Sequence, residues 1–133
     1  MKKTLTFIAA AAILASCGSG KDLSKAVVGN WTITEACGSP VEEGFEKPVI
    51  NFGDNGEMNG NTSINNFFGG YAVKGDKISF SAVGVTKMAG PTGETERAVL
   101  DALNEVEKVK VENDSTIVLC TSDGTVAMKL VRQ

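Results

Sequence analysis

The chain has 133 residues, 42% of them hydrophobic, with 13 basic and 16 acidic residues, 3 cysteines, no histidine and a net charge of −3. That length suits one domain, and an acidic chain without a basic stripe is repelled by phosphate backbones, so no nucleic-acid partner is expected. The lack of histidine removes Ser-His and Cys-His catalytic pairs and the commonest zinc ligand, so the composition predicts neither a cofactor nor a metal.

The first residues read as an export signal rather than as fold. Lys2 and Lys3 supply a positive start, and Leu5 to Ala15 form an apolar run ending in small residues. This run is too short for a spanning helix, which needs roughly 20 residues. It stops at Leu14-Ala15-Ser16-Cys17, which resembles the bacterial lipobox. The resemblance implies cleavage before Cys17, lipidation of its thiol and acylation of the new amino terminus. Several buried acyl chains, at about 0.8 kcal/mol per CH₂, make such anchoring effectively permanent. By resemblance to the enteric sorting rule, Gly18 after the cysteine implies the outer membrane. Cleavage would leave 117 residues with eleven basic and sixteen acidic side chains, a net charge of −5. The expected organisation is a signal peptide over 1–16, an anchor and tether over 17–27, and one β domain over 28–133.

From Val28 onward, short alternating segments are separated by turn signals. Trp31 and Ile33 alternate with Thr32 and Thr34. Ile50 and Phe52 open a second strand, and Gly53-Asp54-Asn55-Gly56 turns it into Glu57-Met58-Asn59. Tyr71 and Val73 lead through Lys74-Gly75-Asp76 to Ile78 and Phe80. Val109 and Val111 alternate with Lys108, Lys110 and Glu112. Thr116 to Cys120 is apolar on both faces, which predicts a central strand, and Val126, Met128 and Leu130 are expected to face inward on the last one. Between Thr92 and Glu107 the period changes. Val99, Leu103 and Val106 recur at helical spacing, with Leu100 and Ala102 widening the stripe. The expected fold is therefore mainly β: a small antiparallel barrel-like or strongly curved meander domain with one helix at about 92–107.

With the strands placed, the chain resembles the META domain family, which includes HslJ-like bacterial envelope proteins. The residues that carry the likeness are Gly29-Asn30-Trp31, Pro48 to Phe52, Asn65-Asn66-Phe67-Phe68-Gly69-Gly70-Tyr71, and Thr86-Lys87-Met88-Ala89 before the helix. The family usually carries cysteine where this chain has Ile64 and Gly90. The absence of both makes sense if those cysteines bond each other. The resemblance implies a small antiparallel barrel with one helix, an envelope location and a stress association. It implies no reaction.

Cys37 and Cys120 make an even pair once Cys17 is lipidated, and a bond between them would close a loop of 84 residues. Chain-entropy arguments give such a loop roughly 4–5 kcal/mol. Two buried free cysteines are the alternative, and the alternation puts Cys37 in phase with inward residues but Cys120 out of phase with Ile117 and Leu119. The most unusual stretch is Asn65 to Gly70. If it is extended across Phe67 and Phe68, one ring points in and the other out, and an exposed Phe beside Asn65, Asn66 and Tyr71 would suit a binding patch. The bland reading packs both rings beneath a turn. Met88 reads as core filler behind a helix-entry turn. The carboxylates, including Glu42, Glu43, Glu46, Glu94 and Glu96, fall on polar positions and read as solvated charge. A monomeric, non-enzymatic envelope domain is expected, held on a membrane by its lipid, with a binding or structural role in envelope or stress physiology and an unidentified envelope protein or small ligand as its partner. A carrier of small apolar ligands and an inhibitor or partner of an envelope enzyme are the alternatives.

Overall fold

The computed structural model describes residues 22–133. The expected signal peptide and the lipidation site Cys17 lie outside the described residues. Among the described residues nine strands form one antiparallel sheet: β1 (Gly29–Ala36), β2 (Ser39–Pro40), β3 (Val49–Phe52), β4 (Glu57–Asn61), β5 (Asn66–Lys74), β6 (Lys77–Val85), β7 (Lys108–Asn113), β8 (Thr116–Cys120) and β9 (Val126–Arg132). The order is β2-β1-β3-β4-β5-β6-β7-β8-β9, and β1 also pairs with β9. Eight strands therefore close into a barrel, with β2 as a two-residue flap on the end of β1. Helix α1 (Gly93–Glu105) connects β6 to β7. The barrel-like fold with one helix agrees with the sequence pattern. Among the described residues no helix is long and apolar enough to cross a membrane.

The alternation of inward residues builds a continuous core. Trp31, Ile33, Ile50, Phe52, Met58, Phe67, Ile117, Leu119, Met128 and Leu130 are each 2% exposed or less, so the interior is filled by side chains. Val99, Ala102 and Leu103 of α1 seal one end of it, and Val106, already extended, closes the helix through its N–H on the Ala102 carbonyl. Inside the barrel Phe52 packs on Tyr71, with ring centroids 4.8 Å apart, and on Phe80 at 6.2 Å.

The expected tether ran to residue 27, but the domain begins earlier. Leu23 and Val27 are buried in the core, and Val27 accepts the Trp31 indole N–H at 2.8 Å. The Leu23 N–H bonds to the Gly75 carbonyl, placing the start of the domain at the β5–β6 turn. Arg132 holds this segment from the other chain end. Its guanidinium donates to the Val28 and Ala26 carbonyls at 3.1 and 3.0 Å and stacks 4.3 Å from the Trp31 ring.

Three readings of the pattern fail locally. Val126 is 40% exposed because the β8–β9 ladder slips between Leu119 and Cys120, leaving Ala127 buried in its place, while Met128 and Leu130 face inward as expected. Val111 is 44% exposed near the far end of β7, beside a second slip between Val111 and Asn113. The glycine-rich stretch from Asn66 is not the turn of the bland reading but the extended first half of the nine-residue strand β5. Its glycines answer to a bulge on β6, where Ala82 and Val83 face Gly69 and Ala82 adopts φ 53°. A Cβ on Gly69 would lie 2.8 Å from the Ser81 carbonyl oxygen and 3.1 Å from the Val83 Cα, so only glycine fits.

Candidate functional site

The residues expected to form a binding patch divide sharply. Phe67 is wholly buried, its ring over Gly60, while Phe68 is 51% exposed on the outer face of β5. Phe68 is not free of contacts, however. It lies across Gly84 of β6, where a Cβ would come within 2.7 Å of the ring. Asn66 is exposed, and its Oδ1 accepts from the Asn61 amide at 2.9 Å. Tyr71 is half-buried, with its hydroxyl donating to the Gly53 carbonyl at 2.5 Å. Burial, and then the nearby Asp54 carboxylate, push its phenol pKa up.

Asn65 does not belong to the patch. It is 3% exposed, and its amide is saturated by the protein itself. Nδ2 donates to the Met88 carbonyl at 3.0 Å and to Glu96 at 2.7 Å, while Oδ1 accepts from the Thr86 hydroxyl at 2.9 Å and the Met88 N–H at 2.7 Å. Two donors and two acceptors are the full capacity of an amide. Asn65 thus clamps the Thr86–Met88 segment and α1 onto the start of β5. The clamp holds Met88 outward, 55% exposed, rather than in the core as the sequence pattern indicated. Glu96 is engaged in the same network, accepting also from the Thr62 hydroxyl at 2.8 Å.

Two polar residues that the pattern did not single out complete the outer face. Asn51 and Asn59 lie on β3 and β4 in the same cross-strand row as Phe68, and the Asn51 amide donates to the Asn59 Oδ1 at 2.9 Å. Their positions between inward Ile50, Phe52, Met58 and Gly60 were the available signal. Beside Phe68 a shallow groove of about 530 Å³ has glycine in its floor, lined by Glu57, Asn59, Phe68, Gly69, Gly70 and Ser81. The face offers an aromatic surface, amides and a hydroxyl. It offers no nucleophile paired with a base. Among the described residues no group of three His, Cys, Asp or Glu could hold a metal.

The expected disulfide is not formed. Cys37 and Cys120 are free thiols, one exposed and one buried. Cys37 sits in the β1–β2 turn with φ 50°, its N–H on the Ala127 carbonyl and its thiol donating to the Ala98 carbonyl at 3.3 Å. Strand β9 lies between it and Cys120 on β8. Two strand spacings come to about 10 Å, beyond the roughly 7 Å Cα separation a disulfide spans. Both thiol pKa values are raised, first by burial, and for Cys37 also by Glu105 and Asp101. By contrast, residues 64 and 90 are adjacent: a Cβ on Gly90 would lie 2.9–3.3 Å from the Ile64 side-chain carbons. Ile64 fills the space where the resemblance implied a cysteine pair.

A family model of the META domain matches residues 24–133. Among solved structures, the chain is similar to a Burkholderia xenovorans protein determined by NMR, with a TM-score of 0.65 and 21% identity over 84% of this chain and 86% of that one. It is similar also to a DUF4847 family protein from Bacteroides vulgatus, seen in a crystal structure, with a TM-score of 0.59 and 11% identity over 80% and 94% of the two chains. A second NMR structure gives a TM-score of 0.60 at 17% identity over 79% and 90% of the chains. At these identities the likeness is one of fold. No curated protein matches the chain.

Proposed function

We propose, from the premise that this chain belongs to the META domain family, that it is a lipid-anchored, non-enzymatic envelope protein whose outer sheet face around Phe68 binds a partner. The observation that carries the binding role is the pair Phe67 and Phe68, one ring wholly buried and its neighbour 51% exposed beside amides. Covering a solvent-facing Phe is worth ~1.5–3 kcal/mol, and oriented amides add direction. Asn51, Asn59 and Asn66 flank that ring on three strands, which suits a polar-rimmed contact with another envelope protein, an enzyme among the possible classes. A carrier of apolar ligands is the weaker reading, because the barrel interior is occupied by Trp31, Phe52, Met58, Phe67 and Met128. The anchor rests on the Leu14-Ala15-Ser16-Cys17 motif, and the outer membrane on Gly18.

Two experiments test this reading. Metabolic labelling with a fatty acid should mark the wild type and fail on Cys17→Ala; equal label in both would refute the anchor. Pull-down from envelope extract should recover a partner with the wild type and lose it with Phe68→Ser, while the two proteins melt within a few degrees of each other. Equal recovery by both would refute the binding face.

A further inference from the structure

We propose that the free edge of β6 is a strand-addition site for an extended segment of a partner polypeptide, running antiparallel to β6 with its carboxyl end beside Lys74 and Lys77. The site is separate from the Phe68 face and stands on different observations.

β6 is nine residues long and pairs along its whole length with β5. On its other edge it pairs with β7 at one residue pair only, Lys77 with Lys108. The Ile78 N–H bonds to the Glu107 carbonyl at 3.1 Å, and the Val109 N–H bonds to the Asp76 carbonyl at 2.8 Å; beyond that the chain leaves the edge for α1. Backbone groups alternate sides along a strand, so the N–H and C=O of Phe80 point the same way as those of Ile78, toward the vacated edge. The direction is confirmed from β5, where the Tyr71 N–H points to Gly56 and leaves Gly70 and Ala72 to serve Ser81 and Ser79.

The edge is accessible. A groove of about 690 Å³ runs between it and the last turn of α1, lined by Ile78, Ser79, Phe80 and Val83 on one wall and Leu103 and Val106 on the other. Its lining also includes Lys74, Lys77 and Glu107, near the Lys77–Lys108 pair where β7 begins. Natural edges are usually blunted by charge, proline or a bulge. Ser79 to Val85 contains no charged residue and no proline, and the bulge at Ala82 and Val83 turns only its upper part. An extended peptide meets both demands of the groove. Its backbone supplies the missing ladder, and alternate side chains reach the apolar wall at Phe80 and Leu103. β7 already approaches antiparallel and begins at Lys108, so a strand continuing that ladder ends where β7 starts. That places a carboxylate near Lys74 and Lys77.

The test is residue-resolved hydrogen exchange on the full chain in detergent, with the heptapeptide Thr-Val-Thr-Val-Thr-Val-Glu as probe. In the free protein the Phe80 N–H should exchange rapidly while those of Ser79 and Ser81 are protected. Millimolar peptide should slow Phe80 by about tenfold or more. Two isomers, N-methylated on one or the other alternating set of amides, should differ, only one retaining the effect. Phe68→Ser should leave the result unchanged, which separates this site from the face proposed above. Protection of Phe80 in the free protein equal to that of Ser79, no slowing with peptide, or equal behaviour of the two isomers would each overturn the proposal.

Discussion

β8 and β6 belong to the same barrel and could hardly be less alike. All five residues of β8 are buried, and it is laddered to β7 and β9 on its two sides. On its outer face Val118 lies directly between Lys110 and Lys129, whose aliphatic stems can cover it. Of the nine residues of β6 only Ile78 is buried, one flank has lost its partner strand, and a bulge with a left-handed alanine interrupts the other. The closed wall around β8 holds the fold together. The wall around β5 and β6 carries the exposed ring, the glycines and the unpaired backbone, features that cost stability and can serve recognition.

Substitutions can break this contrast or sharpen it. The largest effect is expected within one dipeptide on β5. Phe67→Ala should cost about 3–5 kcal/mol, the usual range for emptying an aromatic core site. Phe68→Ala should cost about 1 kcal/mol or less, since the ring is half exposed and lies across Gly84. Urea melts of the two variants decide it, and equal losses would mean that the outer ring is core after all. Asn65→Ala comes next, at about 2 kcal/mol, because the Met88 amide and Glu96 lose their shared partner. Its local signature should be faster amide exchange at Met88, with β8 unchanged. Ala82→Gly should act in the opposite direction, stabilising by about 0.5–1 kcal/mol by relieving φ 53°; a loss of stability would show that the methyl group packs. The smallest effect lies in the β8–β9 turn and appears only in acid. Hydrogen bonds from the Thr121 hydroxyl and then the Thr125 N–H hold the Asp123 carboxyl down, at about 2 against an ordinary 3.8. A depressed folded value means that its stabilisation is complete above the ordinary value and is lost as pH falls from about 4 toward 2. Asp123→Asn should remove that part of the acid dependence, visible as a flatter melting-temperature profile below pH 4.

The closed wall was legible because alternation and burial agree there. Thr116 to Cys120 reads as central from composition alone, and α1 differs from its expected span by only one residue at the start and two at the end. The open wall was legible only in part. Glycine beside asparagine ordinarily signals a turn, yet Gly69 is a glycine because a bulge on another strand presses against it. That pressure comes from a residue thirteen positions away, beyond any local pattern. Asn65 was noticed, but composition cannot tell a saturated buried amide from a free surface one. Met88 looked like core because its hydrophobicity was visible and the clamp that turns it outward was not. Val126 was misplaced by a ladder slip of one residue, which reverses the facing of everything on its far side.

Pairing of β1 with β9 joins Trp31 to Arg132 and Ala36 to Met128, across nearly the whole described chain. Such contacts have high sequence separation, and their loop must be closed before they repay its entropy. The barrel therefore cannot shut before β9 has been made. Until the last seven-residue strand emerges, β1 and β8 each lack a neighbour, and the Arg132 grip on residues 26 and 28 is absent. A nascent chain stopped before Val126 should remain open to protease, whereas one that includes β9 should become resistant in a single step. Folding of this domain is timed by its last strand, which keeps the preceding segments threadable until β9 has been made.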